Sequence, residues 1–161
     1  MKNYQEWYRN IRSRLTSRPI LLFLLRSFNR LMTVAMPLVY LILLVTTYLQ
    51  LGLGQQVGVY VLIPASGFVA LSLFRKKINH PRPYETWDIC PLLDKDSSGR
   101  SMPSRHVFSA CLHASLPIGL VCLIFSALLG LVRVLGGVHY PKDVLIGYAC
   151  GLVWGFLFFL F

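Results

Sequence analysis

The chain has 161 residues, of which 55% are hydrophobic and 14% charged, and a formal net charge of +10. Such apolar content excludes a small soluble domain and points to a polytopic membrane protein of a single domain, with no appended module expected. It also excludes nucleic acid as the partner of the positive charge, which is expected instead to meet anionic headgroups or phosphorylated lipids.

Residues 1–30 carry seven basic side chains against Glu6 alone. Tyr4, Trp7, Tyr8, Ile11 and Leu15 recur among them at helical spacing, which predicts an amphipathic helix in the headgroup region. The run "ILLFLL" is too short, and lacks the small residues, for a cleaved leader. Residues 31–74 contain no charged residue, and "LGLGQQVG" interrupts them. Two membrane helices are predicted, at about 31–51 and 57–74, with Pro37 and Pro64 as tolerated kinks.

The interval 75–105 is polar and proline-rich, and predicts a loop with at most a short helix. Residues 107–132 are uncharged again. As one straight helix, residues 106–133 would place His106 and Arg133 about 40 Å apart. "SLPIG" at 115–119 offers a break, and a hairpin there returns both ends to one membrane face. A last helix is predicted at 143–161, with Gly147, Gly151 and Gly155 forming a close-packing face. The whole is an all-α integral membrane bundle of about five spans, expected in a bacterial plasma membrane. Cys90, Cys111, Cys122 and Cys150 have neither metal-site nor redox spacing.

With the hairpin formed, three polar clusters share one face: "RKKINHPRP", "PSRH" and "VRVLGGVHYPKD". Guanidinium forks around histidines suit phosphoryl transfer, because arginine matches phosphate oxygens two at a time and neutralises charge that builds in the transition state. Pro103 and Pro141 are read as first-turn residues whose helices aim N–H groups at an anion.

In order and spacing these clusters resemble the three-part signature of the type 2 phosphatidic acid phosphatase superfamily, K-x6-RP, PSGH and SR-x5-H-x3-D. The resemblance spans residues 75–143. It implies His139 as the nucleophile that becomes a phosphohistidine, Asp143 as the group orienting its imidazole, and His106 as the general acid. It further implies Arg82 and Arg133 as a phosphate clamp, helped by Ser104. Three positions depart from the pattern. Arg75 stands at the lysine position, with Lys76 one residue away; Arg105 replaces a glycine; Val132 replaces a serine. Arg75, Lys76 and Arg105 are kept as candidate phosphate ligands. His80 lies within the first motif without matching it, and His113 reads as an interfacial histidine.

The activity so implied is hydrolysis of a lipid phosphate or pyrophosphate, without cofactor: phosphatidate, phosphatidylglycerophosphate or a polyprenyl (pyro)phosphate. The acidic residues are too few and too badly spaced for two metals. A lipid phosphotransferase with the same phosphohistidine, or a non-catalytic protein binding anionic lipid, would use the same residues. Most relatives hold this site outside the cytoplasm. Here the basic N-terminal segment lies on the same side as the motifs, whereas the far-side connections near 52–56 and 115–119 are uncharged. The positive-inside rule therefore places the site in the cytoplasm.

Overall fold

A computed structural model describes residues 4–95, 98–112 and 119–160. They form seven α-helices: α1 (Tyr4–Thr16), α2 (Pro19–Leu51), α3 (Gln55–Ile78), α4 (Pro83–Thr86), α5 (Arg105–Leu112), α6 (Gly119–Leu135) and α7 (Pro141–Phe156), the last extended by a 3-10 turn, Leu157–Phe159. Among the described residues, three helices are long and apolar enough to cross a membrane: α2, α3 and α7 with its extension. At 1.5 Å per residue the 17 residues of α6 span about 26 Å, short of the ~30 Å hydrocarbon core.

The first membrane helix begins at Pro19, not at 31. Nothing from 19 to 51 breaks a helix: Pro19 sits in the first turn, where its missing N–H costs nothing, and Pro37 is carried within. Arg26 lies near the start of this helix and donates through Nε to the Leu92 carbonyl at 3.0 Å. The basic N-terminal segment is thus divided, with α1 folded as its own helix and residues 19–30 continuing into the span. On α1 Tyr8 is fully buried and Tyr4, Ile11 and Leu15 are half-buried, whereas Trp7 is exposed along with the arginines at 9, 12 and 14.

The break expected at 115–119 lies, Gly119 apart, outside the described residues, as does His113. Among the described residues α5 and α6 run antiparallel. Val107 lies beside Gly130 and accepts at its carbonyl from Ser126 Oγ at 2.9 Å, while Cys111 further along α5 faces Cys122 near the start of α6. The start of α5 and the end of α6 therefore lie on one face.

The glycine stripe of α7 seats α5. A Cβ on Gly147 would stand 2.7 Å from the Ser104 carbonyl oxygen, and one on Gly151 would stand 2.6 Å from Cys111 Cβ. This close approach lets the Ser104 N–H donate to the Asp143 carbonyl at 2.9 Å, tying the second motif to the third. Gly147→Ala pushes against backbone, which cannot rotate aside. It is expected to cost about 1–3 kcal/mol of stability and to lower activity with it, read as a fall in thermal midpoint and turnover in detergent.

Candidate active site

His139 stands in the short turn between α6 and α7 and is 1% exposed. Asp143 lies one helical turn further on, at the third position of α7, where its Oδ2 accepts from the Tyr140 N–H at 3.0 Å. That anchor turns the carboxylate toward the imidazole, with Nδ1 of His139 3.5 Å from Oδ2 of Asp143. Ser101 completes the group: its hydroxyl donates to Asp143 Oδ2 and lies 3.3 Å from His139 Nδ1. A serine has one proton to give. With that proton on the carboxylate, Nδ1 must be the donor, so the neutral ring carries its hydrogen on Nδ1. The lone pair is left on Nε2. Ser101 is fully buried, and its N–H donates to the His80 carbonyl at 2.8 Å.

Two guanidiniums converge on this histidine. Arg82 and Arg133 are each 2% exposed. Arg82 donates to the Val138 carbonyl at 3.1 Å, and Arg133 Nη1 approaches Asn29 Oδ1 at 3.4 Å. Burial, the Asp143 hydrogen bond pulling the other way, and then the fields of Arg133 and Arg82 hold the imidazole at about 4, below its ordinary 6.5. His139 is therefore neutral at physiological pH, the state a nucleophile needs. The unfolded chain binds the proton more readily, so this histidine's share of stability is full above about pH 6.5 and is lost as pH falls through 4. Between pH 7 and pH 4 the thermal midpoint is expected to drop less in His139→Gln than in the parent protein.

Ser104 precedes α5 directly. Its carbonyl accepts the first helical bond, from Phe108 N at 3.0 Å, which makes Ser104 the cap residue and leaves Pro103 one place outside the helix rather than in its first turn. The Ser104 hydroxyl is buried and has no hydrogen-bond partner among the described residues, a cost that a phosphate oxygen would remove. Pro141 does open α7.

The first-motif alternatives are separated by the helix. Arg75 is 3% exposed and donates through Nη1 to the carbonyls of Ser101, at 3.3 Å, and Pro103. It therefore holds the strand of loop that carries Ser101 and Ser104. Lys76 is exposed. α3 continues through both residues, so the one-residue shift that would bring Lys76 inward does not occur. Arg105 also presents an exposed side chain, unlike the buried Arg82 and Arg133.

His106, half-buried in the first turn of α5, lines a cavity of 270 Å³ with Arg105, Met32 and Phe68. A second cavity of 190 Å³ shares Met36, Pro37, Phe68 and Ser109 with it and continues to Tyr40, Pro64 and Leu112. Together they form one groove between α2 and α3, floored by α5, polar at the motif end and apolar below. A larger space of 550 Å³, walled by Tyr4, Trp7, Trp87 and Tyr140, adjoins the His139 turn from the other direction in sequence. His80 lines it, with Nε2 2.8 Å from Lys142 Nζ.

Two solved structures resemble this arrangement over nearly the whole chain. LpxE of Aquifex aeolicus is 24% identical, with a TM-score of 0.73 over 97% of this chain and 94% of its own. A transmembrane PAP2-type phosphatidylglycerolphosphate phosphatase of Bacillus subtilis is 21% identical, with a TM-score of 0.74 over 98% of this chain and 85% of its own. This chain shares its fold with these two proteins. No protein-family model and no curated protein matches the sequence. Arg82 of the first cluster donates to the Val138 carbonyl and the Ser104 N–H of the second donates to the Asp143 carbonyl, on either side of His139 in sequence.

Sequence reasoning missed Ser101 and Asn29. Ser101 lies in "SSGRS", where a serine reads as turn chemistry, and only its partner 42 residues away gives it a role. Asn29 carried no signal apart from being a polar residue near the start of an apolar helix.

Proposed function

We propose that this chain is a membrane phosphatase that hydrolyses lipid phosphates or pyrophosphates through a phosphohistidine. The observation that carries the reading is the buried Ser101–Asp143–His139 relay with two buried guanidiniums acting on the same imidazole. The fold shared with two phosphatases supports it.

In the proposed reaction Nε2 of His139 attacks phosphorus while the bond to the lipid oxygen breaks. His106 gives its proton to that oxygen. Arg82, Arg133 and the Ser104 hydroxyl hold the non-bridging oxygens as their charge grows. Water then attacks the phosphohistidine and gives a proton to His106, releasing inorganic phosphate and restoring both histidines. The leaving lipid has a place to lie. The groove that begins at His106 runs along α2 from Met32 to Tyr40, about 12 Å, and its walls turn apolar with depth. An acyl or prenyl chain fits that gradient, and the substrate class is accordingly phosphatidate, phosphatidylglycerophosphate or a polyprenyl (pyro)phosphate.

Phosphate release from a panel of these lipids in detergent tests the reading. Activity on at least one of them, with no transfer to an added alcohol, is expected. Transfer in preference to hydrolysis would make the protein a phosphotransferase. Binding of anionic lipid without turnover would make it a non-catalytic protein.

We also propose five membrane passages, with α5 and α6 as two short ones, an interfacial α1, and a site that faces the cytoplasm. The basic excess beside the site supports the last point. Cys90 is exposed in the loop after α4, and Cys111 and Cys122 are buried. An impermeant maleimide is expected to label Cys90 only after permeabilisation; labelling in intact cells would place the site outside.

A further inference from the structure

The N-terminal helix touches the nucleophile's turn on both sides of His139. Tyr8 of α1 lies against Gly137, whose φ of +76° and open Cα face leave room for the ring; a Cβ there would stand 2.5 Å from Tyr8 Cζ. The Tyr8 hydroxyl accepts from the Leu92 N–H at 3.2 Å, and that same N–H donates to the Gly136 carbonyl at 2.9 Å. Hydroxyl and turn are thus tied through one peptide group. Leu15 of α1 packs into the cluster formed by Leu25, Leu93 and Val138. Tyr4 packs on Tyr140 with ring centroids 5.2 Å apart. Residues 137 and 140 each meet a side chain of α1, Val138 belongs to the cluster against which Leu15 packs, and the residue flanked by these contacts is His139.

We propose that Tyr8 is a positioning residue for the nucleophile. α1 clamps the Gly136–Val138 turn and fixes the direction of the His139 imidazole, which Asp143 alone fixes only in rotation. The turn needs such a clamp. Two glycines precede the nucleophile, and glycine leaves the backbone more freedom than any other residue. From inside, Arg82 holds the turn at the Val138 carbonyl; from outside, Tyr8 closes it. Misplacing a reacting atom by about 1 Å costs on the order of 10²-fold in rate. The proposal rests on the phosphohistidine reading above.

The test separates placement of the imidazole from binding of phosphate. Vanadate takes the five-coordinate form with Nε2 of His139 as one ligand, whereas inorganic phosphate is held by the arginines and Ser104. Tyr8→Phe keeps the ring and loses the hydroxyl; it is expected to lower kcat about 3- to 10-fold. Tyr8→Ala is expected to lower kcat about 10²-fold. In both, KM and inhibition by phosphate should stay within about 2-fold of the parent, while vanadate inhibition weakens in step with kcat. If Tyr8→Ala does not fold, Tyr8→Phe decides alone. An unchanged kcat in Tyr8→Phe, or equal weakening of vanadate and phosphate, would overturn the proposal. His139→Ala is measured alongside. If it is inactive while Tyr8→Phe behaves as the parent, only the positioning role falls; if it is active, the phosphohistidine falls and takes Tyr8 with it.

Discussion

His139→Ala is expected to reduce phosphate release by on the order of 10⁴-fold or more, with the protein still extracted and eluting as the parent does. The effect is large because no neighbouring group can take over. Without the imidazole, Asp143 is still held by the Ser101 hydroxyl and the Tyr140 N–H, and the arginines cannot give up a proton to become nucleophiles. The substitution leaves the glycine turn and the α7 cap intact, since Asp143 still accepts from the Tyr140 N–H. Loss of activity with retained folding is the signature of a residue needed for chemistry. Retained activity would return the site to the status of an anion-binding pocket.

The second large effect is expected at Arg133. Its guanidinium is buried beside a neutral imidazole, where its charge is little screened and worth more than it would be in water. Arg133→Ala should lower kcat/KM by roughly 10²–10³-fold, the size seen when one preorganised oxyanion donor is removed. Arg133→Lys should recover only part of that. A lysine supplies the charge as a point, whereas the fork both holds oxygens and reaches toward Asn29. Full recovery by lysine would mean that charge alone, without geometry, carries the clamp.

The site was legible in the sequence where chemistry forces spacing. A His and an Asp four residues apart say little by themselves; the third cluster stands out because Arg133, His139 and Asp143 keep the spacing of the motif it resembles, and the structure places His139 Nδ1 3.5 Å from Asp143 Oδ2. Membrane thickness also bears on His106: one straight helix would carry it about 40 Å from Arg133, whereas α5 packs antiparallel on α6, so the start of α5 and the end of α6 lie on one face. What could not be read depended on contacts across long stretches of chain. Tyr8 looked like one aromatic among several in an interfacial helix, and only the fold brings it to Gly137. Arg75 matched a phosphate-binding position by spacing, yet it is seen donating to the carbonyls of Ser101 and Pro103. Lys76 and Arg105 stand beside or within motif positions in the sequence, which does not say which face of a helix they occupy; in the structure both are exposed. The start of α2 was placed too late because Arg26 and Arg30 were read as belonging to the surface. A helix end near the interface tolerates such charges, and the apolar run before them continues the same helix.

The phosphohistidine is tested most directly by trapping it. Protein mixed briefly with a radiolabelled lipid phosphate and quenched in alkali is expected to carry label on His139, stable to base and lost in acid. The label should be absent from His139→Ala and should accumulate in a variant slowed at the water step. An active protein that never carries label, or one labelled equally in His139→Ala, would contradict the mechanism.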